Sequence, residues 1–255
     1  MTSSTSVVFI GHGNPMNAIT SNSFRDAWRQ LGRELPKPQS VLCISAHWET
    51  QEPQVCIADP PRTIHDFGGF PADLYAQQYP APGAPVLADK VQALAGETRI
   101  GRDSEWGLDH GAWCVLQALF PDADVPVAQL SLARAFAPAE HLDFARKLAP
   151  LRDDGVLVLC SGNVVHNLRL LGGGATPAWA REFDTYVAQA IARHDDEALV
   201  SYERSGASAR YAVPTREHYL PLLYAAGMRR SGDRVRFFTE GFDLGSIGMR
   251  SVLFS

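Results

Sequence analysis

Short, unbroken apolar runs alternate along the chain with longer stretches in which apolar residues recur every three or four positions. Runs of the first kind lie at 6–10, 41–46, 54–58, 125–130, 156–161, 235–239 and 251–254, and they predict strands. Amphipathic stretches at 24–35, 84–95, 111–120, 140–151, 178–192, 197–203 and 217–226 predict helices between them, as in WCVLQALF at 113–120. Strand–helix alternation specifies an α/β fold with a central, mostly parallel β-sheet flanked by helices. The runs VLCI (41–44) and VLVLC (156–160) contain no polar position, as strands covered on both faces require. No internal repeat or long linker interrupts the pattern, so residues 1–255 are expected to form a single domain.

One stretch breaks the rhythm. Residues 52–85 are rich in proline and glycine and surround the run TIHDFGGFPADLYAQQYPAPGAP. Such a segment is either an ordered loop over a site or a surface excursion. Phe67, Phe70, Tyr75 and Tyr79 give it enough aromatic area to line a pocket.

Composition narrows the function classes. A formal net charge of −5 lacks the basic balance that a nucleic-acid face demands. No apolar run approaches the ~18 residues of a membrane helix, and the N-terminal residues lack the basic and apolar regions of a secretory signal. Of the four cysteines, Cys43, Cys114 and Cys160 lie inside apolar runs and none, Cys56 included, forms a C-x-x-C pair. They are expected to be buried thiols in a reducing, cytoplasmic compartment.

The eight histidines carry the chemical signal. His12 follows the first predicted strand, His47 the second, and His166 the strand that ends near residue 161. Ligands of open α/β sheets bind at the carboxyl ends of strands, so these three are expected to share one rim. His218 and His110 lie near the starts of predicted helices. A metal-free acid–base site needs one histidine or two, and this surplus points to a metal held by neutral imidazole. His65 either contacts substrate from the loop or bonds its neighbour Asp66 in a turn. His141 and His194, in the polar segments AEHLD and ARHDD, are expected to be solvated. The chain has no G-x-S-x-G elbow, no G-x-x-x-x-G-K-[ST] or G-x-G-x-x-G loop, and no H-E-x-x-H.

The motifs GHGNPM (11–16), SAHWET (45–50), TIHDFGGFP (63–71), GLDHGAW (107–113), SGNVVHNL (161–168) and TREHYLPLLYAAG (215–227) together resemble the class III extradiol ring-cleaving dioxygenases, in the branch of the DOPA 4,5-dioxygenase type. The likeness runs from about residue 7 to the C-terminal GSIGMRS, which makes 1–255 one catalytic domain. It implies a non-haem metal enzyme that uses O₂ to open a catechol ring beside its two hydroxyls. His12, His47 and His218 match metal ligands, and His166 matches either an acid/base or a fourth ligand. His110 matches a catalytic or ligand-backing histidine, and His65, Phe67, Phe70 and Trp48 would contact the substrate. Many extradiol enzymes use two histidines and a carboxylate; here the third position is histidine unless Glu49 or Glu217 enters. One divalent ion per chain is implied, Fe(II) for turnover, with Zn(II) suited to the same nitrogens. That suitability keeps a zinc-dependent hydrolase and a non-enzymatic metal-binding protein as rivals. The expected partners are a small catechol and O₂, with neither nucleic acid nor membrane, in a monomer or small homo-oligomer.

Overall fold

A computed structural model describes residues 5–172 and 174–255. Its strands are β1 (Val7–Gly11), β2 (Ser40–Thr50), β3 (Gln54–Cys56), β4 (Gly101–Asp103), β5 (Val127–Ala133), β6 (Val156–Gly162), β7 (Val235–Phe238), β8 (Phe242–Asp243), β9 (Ile247–Gly248) and β10 (Ser251–Phe254). All but the β8–β9 pair join one eight-stranded sheet in the order β4-β3-β5-β2-β6-β1-β10-β7. Its centre, β5-β2-β6-β1, is parallel throughout. β3 joins β5 antiparallel on one side, and β10 joins β1 antiparallel on the other. The predicted α/β class and mostly parallel sheet are therefore what forms.

The helices are α1 (Ser23–Glu34), α2 (Ala72–Tyr75), α3 (Pro85–Leu94), α4 (His110–Leu119), α5 (Pro138–Leu148), α6 (Ala178–Ala192), α7 (Asp196–Val200), α8 (Ala207–Ala212) and α9 (Leu220–Met228). Alternate strand residues serve different layers. Val7, Phe9, Leu42, Ile44, Val158 and Cys160 pack beneath α3, α5, α6 and α9. Val8, Ile10, Val41, Cys43, Leu157 and Leu159 pack beneath α1 and α4. Both faces are covered, which is why these runs carry no polar position. Each large aliphatic side chain so buried contributes about 1.5–3 kcal/mol.

Two departures from the predicted boundaries affect the site. β2 continues past residue 46 to Thr50, so His47 lies within the strand. Its register against β5 shifts between Ile44 and Glu49, a bulge of the kind that re-aims side chains beside functional sites. The predicted helix at 217–226 begins only at Leu220, which leaves His218 in the turn before it. The four cysteines are free and buried, as expected. Among the described residues no helix is long and apolar enough to cross a membrane.

His141 overturns its expected place. It is fully buried on the inner face of α5, with Nδ1 3.1 Å from the Tyr224 hydroxyl and its ring 5.4 Å from that of Phe136. The amphipathic phase of α5 puts it under the sheet despite its polar neighbours. His194, by contrast, is exposed at the end of α6. Burial, assisted by the charge of Arg216, lowers His141 to about 4.

An unfolded histidine titrates near ~6.5, so the unfolded chain binds the extra proton as the pH falls. The stability contributed by neutral His141 is complete above that pH and is lost as the pH drops toward about 4. Replacing His141 by Phe removes this dependence. In urea unfolding, the wild-type stability relative to His141→Phe should be lower at about pH 5 than at about pH 7.5 by ~2 kcal/mol. An unchanged difference would mean that His141 takes up its proton in the folded state.

Candidate metal centre

The parallel strands deliver their carboxyl ends to one rim, and the histidines gather there. His12 comes directly after β1, its backbone N–H donating to the carbonyl of Gly162 at 3.0 Å. Its Nδ1 lies 2.9 Å from Ser161 Oγ, and the Ser161 hydroxyl donates its proton to the Gly111 carbonyl at 2.5 Å. With that proton committed, Ser161 can only accept from His12, which assigns the ring hydrogen to Nδ1 and leaves Nε2 a bare lone pair. His47 turns its Nδ1 to Asp66 Oδ2 at 3.3 Å, and His218 turns its Nδ1 to Glu217 Oε1 at 3.0 Å. In all three rings the outer nitrogen is engaged and the inner one is free.

The inner nitrogens face one another. His12 Nε2 and His47 Nε2 are 3.2 Å apart, and one ring nitrogen from each of His12, His47 and His218 falls within a 4.8 Å span. His218 Nε2 is buried with no hydrogen-bond partner. Bare lone pairs directed together repel, and a buried acceptor without a donor is costly. A single divalent cation relieves both, since metal–imidazole bonds of ~2.0–2.1 Å accommodate this spacing. His12 and His47 titrate well below the ordinary imidazole range, chiefly through burial and then through the neighbouring histidines. Burial also lowers His218, against the pull of Glu217. The rings are therefore neutral near pH ~7, the form in which imidazole binds metals.

Asp66 is the residue that inspection of the sequence missed. One carboxylate oxygen accepts the His110 backbone N–H at 2.9 Å, at the start of α4. The other lies 3.0 Å from His110 Nδ1 and 3.3 Å from His47 Nδ1. Burial raises its pKa, but the hydrogen bonds and charge of His110 outweigh that and hold it below the ordinary carboxylate value. Its local signal is a carboxylate beside a histidine in TIHDF.

His65 and Trp48 correct their expected roles. His65 Nε2 bonds the Gln77 carbonyl at 2.9 Å and its ring packs on Trp113 at 5.6 Å, outside the cavity. Trp48 is buried in a stack on Trp106 at 5.2 Å. Successive strand residues point to opposite faces, so a strand that presents His47 to the rim turns Trp48 away. Glu49 sits 3.8 Å from Arg134, and Glu217 lies behind His218.

The cluster forms the floor of a cavity of about 380 Å³, whose walls include Phe67, Phe70, His110 and His166. Phe67 and Phe70 meet edge to face at 5.4 Å, so the loop over residues 52–85 does border the site. His166 stacks on His218 with ring centroids 3.4 Å apart and planes 8° apart. Burial, then the neighbouring His218, push it down to about 3. A larger open groove of about 740 Å³, between α1 and the end of α4, holds no comparable cluster among the described residues. Two glycines let the backbone come close to the rings. A Cβ on Gly111 would lie 2.5 Å from Ser45 Oγ and 3.0 Å from the His47 ring, and one on Gly162 would lie 2.2 Å from the His218 carbonyl oxygen.

Residues 3–254 match the family model described as the catalytic LigB subunit of aromatic ring-opening dioxygenase. The chain is 42% identical over 253 residues to a protein of Escherichia coli (strain K12) named 4,5-DOPA dioxygenase extradiol, covering 96% of this chain and 93% of that one. It is 37% identical to a protein of the same name from Beta vulgaris, covering 97% of this chain and 95% of the relative. The crystal structure of an uncharacterized Escherichia coli K12 protein superposes with a TM-score of 0.87 at 37% identity, covering 98% of this chain and all of that one.

His47→Ala should abolish metal binding and leave the far-ultraviolet circular dichroism unchanged. Full metal occupancy in that variant, by elemental analysis, would exclude His47 as a ligand. Asp66→Asn and Ser161→Ala keep every inner nitrogen but lose the orienting partners, so each should weaken metal affinity by ~10–100-fold in a chelator competition.

Proposed function

The chain belongs to the LigB family of aromatic ring-opening dioxygenases, and on that premise we propose that it is a metal-dependent extradiol enzyme acting on a substituted catechol of the DOPA type. The observation that supports this reading most is the set of inward nitrogens of His12, His47 and His218 at the floor of an aromatic-walled cavity. Three neutral nitrogens on one side of a site suit Fe(II) for turnover, and Zn(II) fits the same donors. When bound, the ion supplies a Lewis acid for the catechol and, as Fe(II), a redox path between the ring and O₂. Zinc is redox-inert and would not support turnover. Family membership favours ring cleavage over the hydrolytic alternative.

The chain's own residues would orient the substrate and move its protons. Phe67 and Phe70 flank the ring and keep water from it. His110, with Nδ1 turned to Asp66, has its other ring nitrogen left for the substrate. His166 is neutral and fixed by its stack on His218, so a ring nitrogen is available to take a proton from a catechol hydroxyl. It would return a proton as the ring opens. The acid/base role is preferred to that of a fourth ligand because three protein ligands leave room for both catechol and O₂.

Paired variants test these roles. With Fe(II) added anaerobically, wild-type protein should convert catechols with O₂ to yellow, ring-opened products. His166→Gln should keep its metal and lose ~10²–10⁴-fold in turnover, the usual span for positioned proton transfer. His218→Gln should lose the metal. Equal loss of metal from both variants would make His166 a ligand, and an iron-loaded wild type that opens no catechol would overturn the enzymatic reading.

A further inference from the structure

The cavity changes character from floor to mouth. His12, His110 and His218 are buried in its lining, whereas Leu168, Leu171 and Leu244 stand at the opening, 60%, 44% and 43% exposed. A single exposed leucine is unremarkable, but three that converge on one mouth form the kind of apolar patch that marks a binding surface. They come from two chain segments laced together by hydrogen bonds. Gly172 N–H donates to the Leu244 carbonyl at 3.0 Å, Asn167 N–H to the Ser246 carbonyl at 3.2 Å, and the Ser246 hydroxyl to the Asn167 carbonyl at 2.9 Å. The collar is thus built into the fold.

Leu244 is also placed against backbone preference. It lies at φ +48° in the loop that joins β8 to β9, where glycine, asparagine or aspartate is the usual occupant. The turn does not ask for leucine, so the side chain answers to something outside the turn.

Charge supplies the second observation. Among the described residues that line the cavity there is no lysine or arginine, and Asp66 is the one carboxylate, already engaged with His47 and His110. The side chain of DOPA carries an ammonium and a carboxylate. Brought against leucines with no counter-charge, those groups lose hydration without replacement. An alkyl group in the same place removes apolar surface from water instead.

We infer that this collar selects catechols whose ring substituent is uncharged and apolar, with Leu168, Leu171 and Leu244 as specificity-determining residues. The inference rests on the ring-opening reading and shifts its preferred substrate from the charged DOPA side chain to an apolar substituent. DOPA is accepted with its charges left in solvent, and apolar-substituted catechols are preferred.

The test compares 4-methyl-, 4-ethyl- and 4-propylcatechol with L-DOPA. Iron-loaded wild type should show kcat/KM rising by about fourfold per methylene, as burial of a CH₂ group predicts. The propyl compound should exceed L-DOPA by at least ~10-fold on the same scale. Leu171→Arg should lower kcat/KM for the propyl compound and raise it for L-DOPA. Leu244→Asn, a residue the turn favours, should flatten the alkyl series without lowering Tm. Calorimetric binding of the same compounds to zinc-loaded protein reads the collar without turnover. A flat series in both formats, or L-DOPA preferred by the wild type, overturns the collar. Failure of the iron-loaded enzyme on every catechol, with a graded binding series on zinc, instead overturns the ring-opening reading and leaves the collar standing.

Discussion

Three imidazole rings are held by their outer nitrogens so that their inner nitrogens meet, and the surrounding structure is arranged to maintain that convergence. Ser161, Asp66 and Glu217 each hold one Nδ1. Without those partners the rings would rotate and choose either tautomer, and the inner lone pairs would not share a focus. The arrangement is costly in the absence of a cation, because His12 Nε2 and His47 Nε2 oppose each other at 3.2 Å and His218 Nε2 is buried without a donor. Such an arrangement persists only when packing over-determines it.

The sheet provides that packing. β1, β2 and β6 are neighbours in the parallel centre, so their carboxyl ends bring His12, His47 and the Ser161 hydroxyl within reach of one another. The bulge in β2 aims His47 inward, and small residues at 111 and 162 allow α4 and the His218 turn to approach the strands closely. Both faces of the sheet are sealed by helices, so the rim is the place where polar chemistry meets solvent without disturbing the core.

Asp66 ties the histidine cluster to the cavity wall. It accepts the first backbone N–H of α4, backs the His47 ring of the candidate cluster and lies against His110, which faces the cavity. The same cavity is lined by the aromatic Phe67 and Phe70 and by the exposed Leu168, Leu171 and Leu244.

Periodicity alone determined the α/β class, the doubly covered strands, the buried cysteines and the placement of His12, His47 and His166 after or within three strands. These are properties of near neighbours in the chain, since strand and helix periods are set by a few residues at a time. Pairings over longer distances were decided by tertiary structure alone. Asp66 and His110 are 44 positions apart, and Ser161 and His12 are 149. No local period announces that either pair will bond. His141 departs from its expected exposure because its polar neighbours in sequence are not its neighbours in space, where Tyr224 and Phe136 enclose it. Trp48 turns away because successive strand residues face opposite sides, and His65 because its loop ties it to the Gln77 carbonyl and Trp113. The leucine collar, assembled from residues near 170 and residue 244, exists only because two loops meet at the mouth of the cavity.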